Sequence, residues 1–495
     1  MCVARLIRLI GMQPALFHRC RQELEACTAE GTVRGSELRE CVVAVAPFVD
    51  HVLETAQLAF NAAEPIDEVV TVLYGDVHTP SIPPGGMYGT QFAIPTHAPP
   101  RMYRSSAATT GAASMKRTIF ETEHDLFRAS VQQFLETEIL PHHAEWSGAG
   151  KVDKEMFRKA GKAGLLGMAI PSEFEGGGVD DFRYNAVIGE VFSASVAGAS
   201  GMCITLHNDI CIPYFLTYST SEQRRRWMPG LANGDLMTAL AMTEPATGSD
   251  LSGISTSARL EEDHYLLNGS KTFITNGINA DLVIVVVRTS DDPHGGLTLL
   301  VVEDGMDGFE RGRNLDKMGL HAQDTAELFF TDVEVPVANR LGEEGSGFLQ
   351  LIANLPQERL SIAVGAAAGA EAALELTIEY ARDRTAFGRP IGRFQHNRFK
   401  LAEAKTEVDI GRVFVDRLLQ AHLEGELTIE QAAEAKWWTT EMLRRVVDMG
   451  VQMHGGYGYM LEYPIAQAYL DARVQTIYGG TTEIMKEIIG RGLGM

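Results

Sequence analysis

The chain has 495 residues, 45% apolar and 22% charged, with a formal net charge of −22 at pH 7. Such a length accommodates roughly two to four domains with a core each, in an ordinary globular composition. The negative charge argues against nucleic acid or an anionic membrane surface as the general partner, so an anionic ligand would need a local basic pocket. The six cysteines include no Cys-x-x-Cys pair, which removes a zinc knuckle or disulfide framework and makes a reducing compartment the default. No uninterrupted apolar run reaches membrane-spanning length, so no integral membrane segment is expected.

Residues 1–114 differ from everything after them. Arg5, Arg8, Arg19 and Arg21 precede the first acid, Glu23, as in a transit peptide, but Glu25, Glu30 and Glu37 follow closely. Thr79–Ser114 has the Pro, Gly, Ser, Thr and Ala content of a linker, and Met115 offers an alternative start. A dispensable extension is expected here, with a small accessory domain as the alternative. From Glu121 the pattern is helical, with Ile119 on its apolar face. Leu126, Phe127, Val131, Phe134, Leu135 and Ile139 share its apolar face, and Pro141 stops it. Further helices, broken at Pro171 and Gly176–Gly178, make 115–238 an all-α domain.

Near Thr238 the period becomes that of strands. Tyr265–Ile274 reads as a hairpin turning at Asn268-Gly269, and Leu282–Val287 and Leu297–Val302 are β-branched runs. A middle β domain, barrel-like, is therefore expected over 239–345. Long helices return at about 347–382, 395–424, 428–453 and 465–475, with a last one after Thr481. The Ala- and Gly-rich Ala363–Ala370 permits close helix approach, so 346–495 reads as a four-helix-bundle domain. The fold class is α+β.

Within the first of these helices, Leu355-Pro356-Gln357-Glu358-Arg359-Leu360 puts Glu358 on the stripe of Leu351, Leu355, Ile362, Gly365 and Ala366. A buried, unpaired carboxylate is costly and escapes by a raised pKa, which suits it to take a proton near neutral pH. A buried ion pair with an arginine is the alternative. Met242–Asp250 is a polar loop opening the β domain. Gly455–Tyr459 and Tyr478–Glu483 are glycine-rich turns, but neither joins a strand to a helix as a dinucleotide-binding turn must. Arg382, Arg384, Arg389, Arg393 and Arg398 suit phosphates or, equally, a solvated turn. The histidines lack partners at ligand spacing, so no metal is expected.

Five motifs in order, Met242–Asp250, Phe273–Gly277, Arg384–Gly388, Gln452–Gly456 and Tyr478–Glu483, resemble those of the acyl-CoA dehydrogenase family, from about Phe120 to the last residues. The resemblance implies FAD. It implies that Met242, Thr243 and Ser249 line the flavin, Ser249 also near substrate. Phe273, Ile274 and Thr275 would pack and hydrogen-bond the isoalloxazine. Arg384, Phe387, Gln395, Gln452 and Gly456 would hold phosphate and adenosine across a subunit boundary, in a homo-oligomer, a tetramer built as a dimer of dimers. Thr481 and Glu483 match the final FAD-contacting turn, and Arg359 and Gly480 the substrate side. Most of the family carries the catalytic glutamate where this chain has Gly479. A subgroup resembling long-chain and isovaleryl-CoA dehydrogenases carries it instead where this chain has Glu358, and the Leu355–Leu360 segment is similar to the long-chain version. Gly479 keeps its N–H, expected to polarise the substrate thioester.

The implied activity is α,β-dehydrogenation of a long straight-chain acyl-CoA in fatty-acid β-oxidation, with electrons passed to an electron-transferring flavoprotein. A branched short-chain substrate, an acyl-CoA oxidase on the same fold and a non-catalytic acyl-CoA binder are the alternatives. The expected compartment is the cytoplasm, with the mitochondrial matrix second.

Overall fold

The computed structural model describes residues 115–292 and 295–495; the extension expected over 1–114 lies outside them. The chain begins with α1 (Thr122–Phe134), which widens into a π turn over Leu135–Ile139, then α2 (His143–Ala149), α3 (Lys154–Lys162), α4 (Phe182–Ser193) and α5 (Gly198–Thr205). A second π turn, Leu206–Cys211, leads into α6 (Ile212–Tyr218), and α7 (Ser221–Asn233) closes the helical layer. Val131, Phe134, Leu135 and Ile139 are buried as expected, but Leu126 is 68% exposed, so the apolar face of α1 is narrower than its sequence suggests. Caps set the helix starts. Asp153 accepts the Glu155 N–H at α3, and Thr220 with Gln223 forms a capping box at α7.

The middle layer is one eight-stranded sheet. Its strands are β1 (Thr238–Ala241), β2 (Ser257–Glu261), β3 (His264–Thr275), β4 (Leu282–Arg288), β5 (Leu297–Glu303), β6 (Phe309–Asn314), β7 (Thr325–Pro336) and β8 (Arg340–Leu341). The order is β6-β7-β3-β2-β4-β5-β8, with β1 parallel to β4. Val283, Val285 and Val287 of β4 face an inner core with Tyr265, Leu267, Val333 and Val335. Leu282, Ile284 and Val286 face outward onto Tyr214, Phe215, Trp227 and Leu231 of α6 and α7. Both faces of β4 are buried, which is why its sequence is continuously apolar. β5 touches β7, which is not its sheet neighbour, so the sheet curls over its inner core like a barrel while β6 and β8 remain its edges.

The expected hairpin at Asn268-Gly269 is not formed. β3 runs straight through, pairing β2 on one side and β7 on the other. Gly269 at φ +145° takes up a register shift, where an added Cβ would lie 2.6 Å from Thr256 Oγ1. Asn268 gives its side chain to β7, donating to Asp332 Oδ1 and accepting from Asp332 N, both at 2.9 Å. The two residues that favour a turn serve here as a bulge, because strands on both sides compete for the backbone.

The last layer begins with α8 (Gly347–Asp383), followed by the short strands β9 (Thr385–Ala386) and β10 (Arg389–Pro390). Then come α9 (Gln395–Leu423), α10 (Ile429–His454), α11 (Pro464–Ala472) and α12 (Thr482–Gly492). By length and composition α8 could cross a membrane. In this fold it is the central rod of the bundle, its alanines packed against α9, α10 and α4.

Candidate active site

Neighbouring residues on a helix point about 100° apart, so Glu358 and Arg359, 4% and 5% exposed, meet different partners. Glu358 faces α6, where Tyr214 donates its phenol hydrogen to Oε1 at 3.0 Å. Arg359 faces the turn before α12, its Nε donating to the Gly479 carbonyl at 3.4 Å. Neither forms an ion pair with another described residue. Burial pushes the Glu358 carboxyl up to about 7, against the opposing pull of the Tyr214 hydrogen bond and the Arg359 charge.

The turn Tyr478-Gly479-Gly480-Thr481 needs its glycines. Gly479 sits at φ +63° and Gly480 at φ +98°, and an added Cβ would come within 2.5 Å of Ile362 Cδ1 at the first and of Met485 Cε at the second. The turn is held from behind by two cations. Arg359 takes the carbonyl of Gly479, and Lys436 of α10, wholly buried, donates to that of Gly480 at 2.6 Å. Burial, and then the nearby Arg359 charge, bring Lys436 down to about 8. Thr481 caps α12, accepting the Ile484 N–H at 3.3 Å, and Glu483 is exposed in its first turn.

The loop after β1 is anchored by a buried ion pair. Lys271 reaches Glu244 Oε1 at 2.8 Å and the Met242 carbonyl at 2.9 Å, and Thr272 N donates to Thr243 O at 2.9 Å. Met242, Thr243 and the Lys271–Thr272 part of β3 are thereby brought together, with Ser249 exposed in the loop. Phe273 occupies a second register shift of β3, between Lys271 and Ile274, at φ +60° with its side chain 68% exposed, a strained conformation of the kind kept at binding sites. Thr275 is half-buried; the Ile274 side chain is in the inner core, and its carbonyl accepts the Gly277 N–H at 3.1 Å, so neither is presented to a ligand.

Arg384, Phe387, Gln395, Gln452 and Gly456 are all exposed and belong to a separate cluster at the far end of α8. Its centre is Tyr380 stacked on His454 at 4.0 Å, with Arg384 over the Tyr457 ring at 5.7 Å. Phe387, at φ +50°, is 94% exposed. Sequence reasoning missed Tyr214, Lys436 and the Glu244–Lys271 pair. Only the last had a signal, a lysine inside a strand and a glutamate in a candidate ligand loop. Among the described residues there is no cluster fit to hold a metal.

Comparison with known proteins joins these observations. Residues 121–235, 239–333 and 345–494 match the N-terminal, middle and C-terminal domains of acyl-CoA dehydrogenase. The chain is 49% identical over 378 residues to the long-chain specific acyl-CoA dehydrogenase, mitochondrial, of Mus musculus, covering 76% of this chain and 87% of that protein. It is 34% identical over 374 residues to isovaleryl-CoA dehydrogenase, mitochondrial, of Pongo abelii, covering 74% and 88%. The crystal structure of an acyl-CoA dehydrogenase from Geobacillus kaustophilus superposes with a TM-score of 0.75 at 47% identity, over 77% of this chain and 100% of that one. With three domain models matched in order and relatives covered nearly end to end, the chain belongs to the acyl-CoA dehydrogenase family of oxidoreductases.

Proposed function

We propose that the chain dehydrogenates long straight-chain acyl-CoA thioesters to trans-2-enoyl-CoA, with Glu358 as the base, in fatty-acid β-oxidation. The observation that carries this is Glu358 itself, a carboxylate shut away from water and without an ion-pair partner, next in sequence to the Arg359 that reaches a glycine turn with no carboxylate at Gly479 or Gly480. A general base works best when its pKa lies near the operating pH, as here. With Oε1 held by Tyr214, Oε2 is left to take the α-proton. The N–H of Gly479 would polarise the thioester carbonyl as the enolate develops, a contact worth about 3 kcal/mol in comparable oxyanion sites.

The cofactor is FAD, which when bound accepts the β-hydrogen as hydride. The residues fit it: the Phe273 ring stands out for a flat partner beside Thr243 and Met242, and no atom lies within 4 Å of a Cβ added at Gly455 or Gly456. Thr481 and Glu483, at the start of α12, present the N-terminal end of a helix, suited to the cofactor's negative charge. Ser249, Arg359 and Gly480 would belong to the substrate side; Arg384, Phe387, Gln395, Gln452 and Gly456 would hold the phosphate and adenosine of an FAD shared across a subunit boundary, in a tetramer. Electrons leave to an electron-transferring flavoprotein. The compartment is a reducing one, cytoplasm or else mitochondrial matrix, in keeping with free Cys203 and Cys211.

Anaerobic flavin bleaching across acyl-CoAs of increasing length tests the substrate. Fastest bleaching with long straight chains is expected, and fastest bleaching with isovaleryl-CoA would replace this substrate by the branched one. Rapid reoxidation of the bleached protein in air would make it an oxidase.

A further inference from the structure

We infer that Tyr214 is a positioning residue for the base: its phenol holds one oxygen of Glu358, fixes the carboxylate's orientation and keeps it ionised in a dry site. This assignment rests on Glu358 being the base, as proposed above. The contact is built from three directions. First, Tyr214 is fully buried in the outer core with Phe215, Trp227 and Leu351, so its ring has a fixed seat. Second, the π turn Leu206–Cys211 precedes it, and one extra residue in a turn rotates every following side chain by about 100°. That rotation aims the start of α6 at α8.

Third, the same π turn is fastened to α8 on both sides of the base. Gln357 donates from Nε2 to the Asp209 carbonyl at 2.8 Å, and Ser361 donates its hydroxyl to Asp209 Oδ2. Asp209 is held in turn by Asn185 Nδ2 at 2.7 Å. Gln357 and Ser361 bracket Glu358 in sequence, so the spacing of phenol and carboxylate is set by the frame. A tyrosine that merely sought an acceptor would not need such a frame.

The electrostatic sense is definite. A donor to the ionised form of a carboxyl favours that form. The other charged or titratable groups facing the pair are Arg359 on α8, Cys211 at the end of the π turn, and Tyr218 on α6 beside Tyr214. Lys436 from α10 bears on Arg359, and Asp209 faces α8 through Ser361. Among the described residues Tyr214 is the hydrogen-bond donor to Glu358, so its removal leaves burial opposed by the Arg359 charge.

The test uses FAD-loaded Tyr214→Phe, which keeps the ring and its packing. Two quantities are measured against pH: the anaerobic bleaching rate with hexadecanoyl-CoA, and the infrared band of the protonated carboxyl, identified by its loss in Glu358→Gln. The acid limb of the rate and the midpoint of the band should both move up by about one pH unit, with the rate falling about fivefold near pH 7 and recovering at alkaline pH. A rate lowered equally at every pH, with the band unmoved, would overturn the role of Tyr214 while leaving the base in place. Retained turnover in Glu358→Gln would instead overturn the base, and this assignment with it.

Discussion

Glu358 and Glu244 are both 4% exposed, yet their surroundings drive them in opposite directions. Glu244 receives four donors, Lys271 Nζ, the N–H and hydroxyl of Ser255, and the N–H of Thr256. Burial works against its charge, but Lys271 and these hydrogen bonds hold its carboxyl at about 2. Glu190, equally buried, is likewise held at about 2 against burial by the charges of Arg412, Arg117 and Arg128. Glu358 has one neutral phenol and a sidelong arginine, and ends at about 7. Burial alone does not decide what a carboxyl does; the number and charge of its donors do. The well-supplied pair anchors a loop, and the undersupplied one is left reactive.

The sharpest way to break this contrast is to remove the base. Glu358→Gln should lower the bleaching rate by about a thousandfold, within the range typical of general-base catalysis, with little change in acyl-CoA affinity measured by calorimetry. Acyl-CoA-dependent bleaching that survived would end the distinction between the two sites. Removing the cation from the anchored site should act on stability instead. Lys271→Met leaves Glu244 buried and unpaired, which costs about 3–5 kcal/mol in urea unfolding, and the slackened 242–250 loop should release FAD on gel filtration. A variant as stable as the parent would mean that the Ser255 and Thr256 donors suffice.

A third test uses pH. The folded Glu358 carboxyl, at about 7, lies above its ordinary 4.5. The native state therefore holds more protons between those values, and stability falls as pH rises through that window. Relative to Glu358→Gln, the parent should lose roughly 3 kcal/mol between pH 4.5 and 7, read from paired urea titrations. A pH-independent difference would place the carboxyl among the ordinary ones. The smallest effect is at the glycine turn. Gly479→Ala forces a side chain to φ +63° and pushes the end of Ile362 aside, costing about 1 kcal/mol in thermal unfolding while the bleaching rate also drops.

The order of layers was legible because periodicity changes sharply near Thr238 and again near Gly347. Glu358 stood out because a carboxylate interrupts an apolar stripe. Tyr214 did not, since within Ile210–Leu216 it looks like any core aromatic, and its use depends on a π turn that leaves no mark in the sequence. Lys436 gave no signal either. Among Ala432, Ala433 and Ala435 it resembles a solvated lysine, but the Gly480 carbonyl gives it an interior acceptor. At Asn268-Gly269 a strong local preference lost to pairing with two neighbouring strands at once. In each case the deciding contact lies far away along the chain.

The length of α8 has a consequence of its own. Glu358 and the helix end at Asp383 are separated by 25 residues, or about 38 Å along a straight rod. A fully stretched flavin dinucleotide falls well short of that. For the cofactor assignment proposed here, α8 acts as a ruler: the arginine end of one chain cannot grip the cofactor that serves its own glutamate. Each such grip would have to be lent to a neighbouring copy, so that dilution to single chains should weaken cofactor retention and catalysis together.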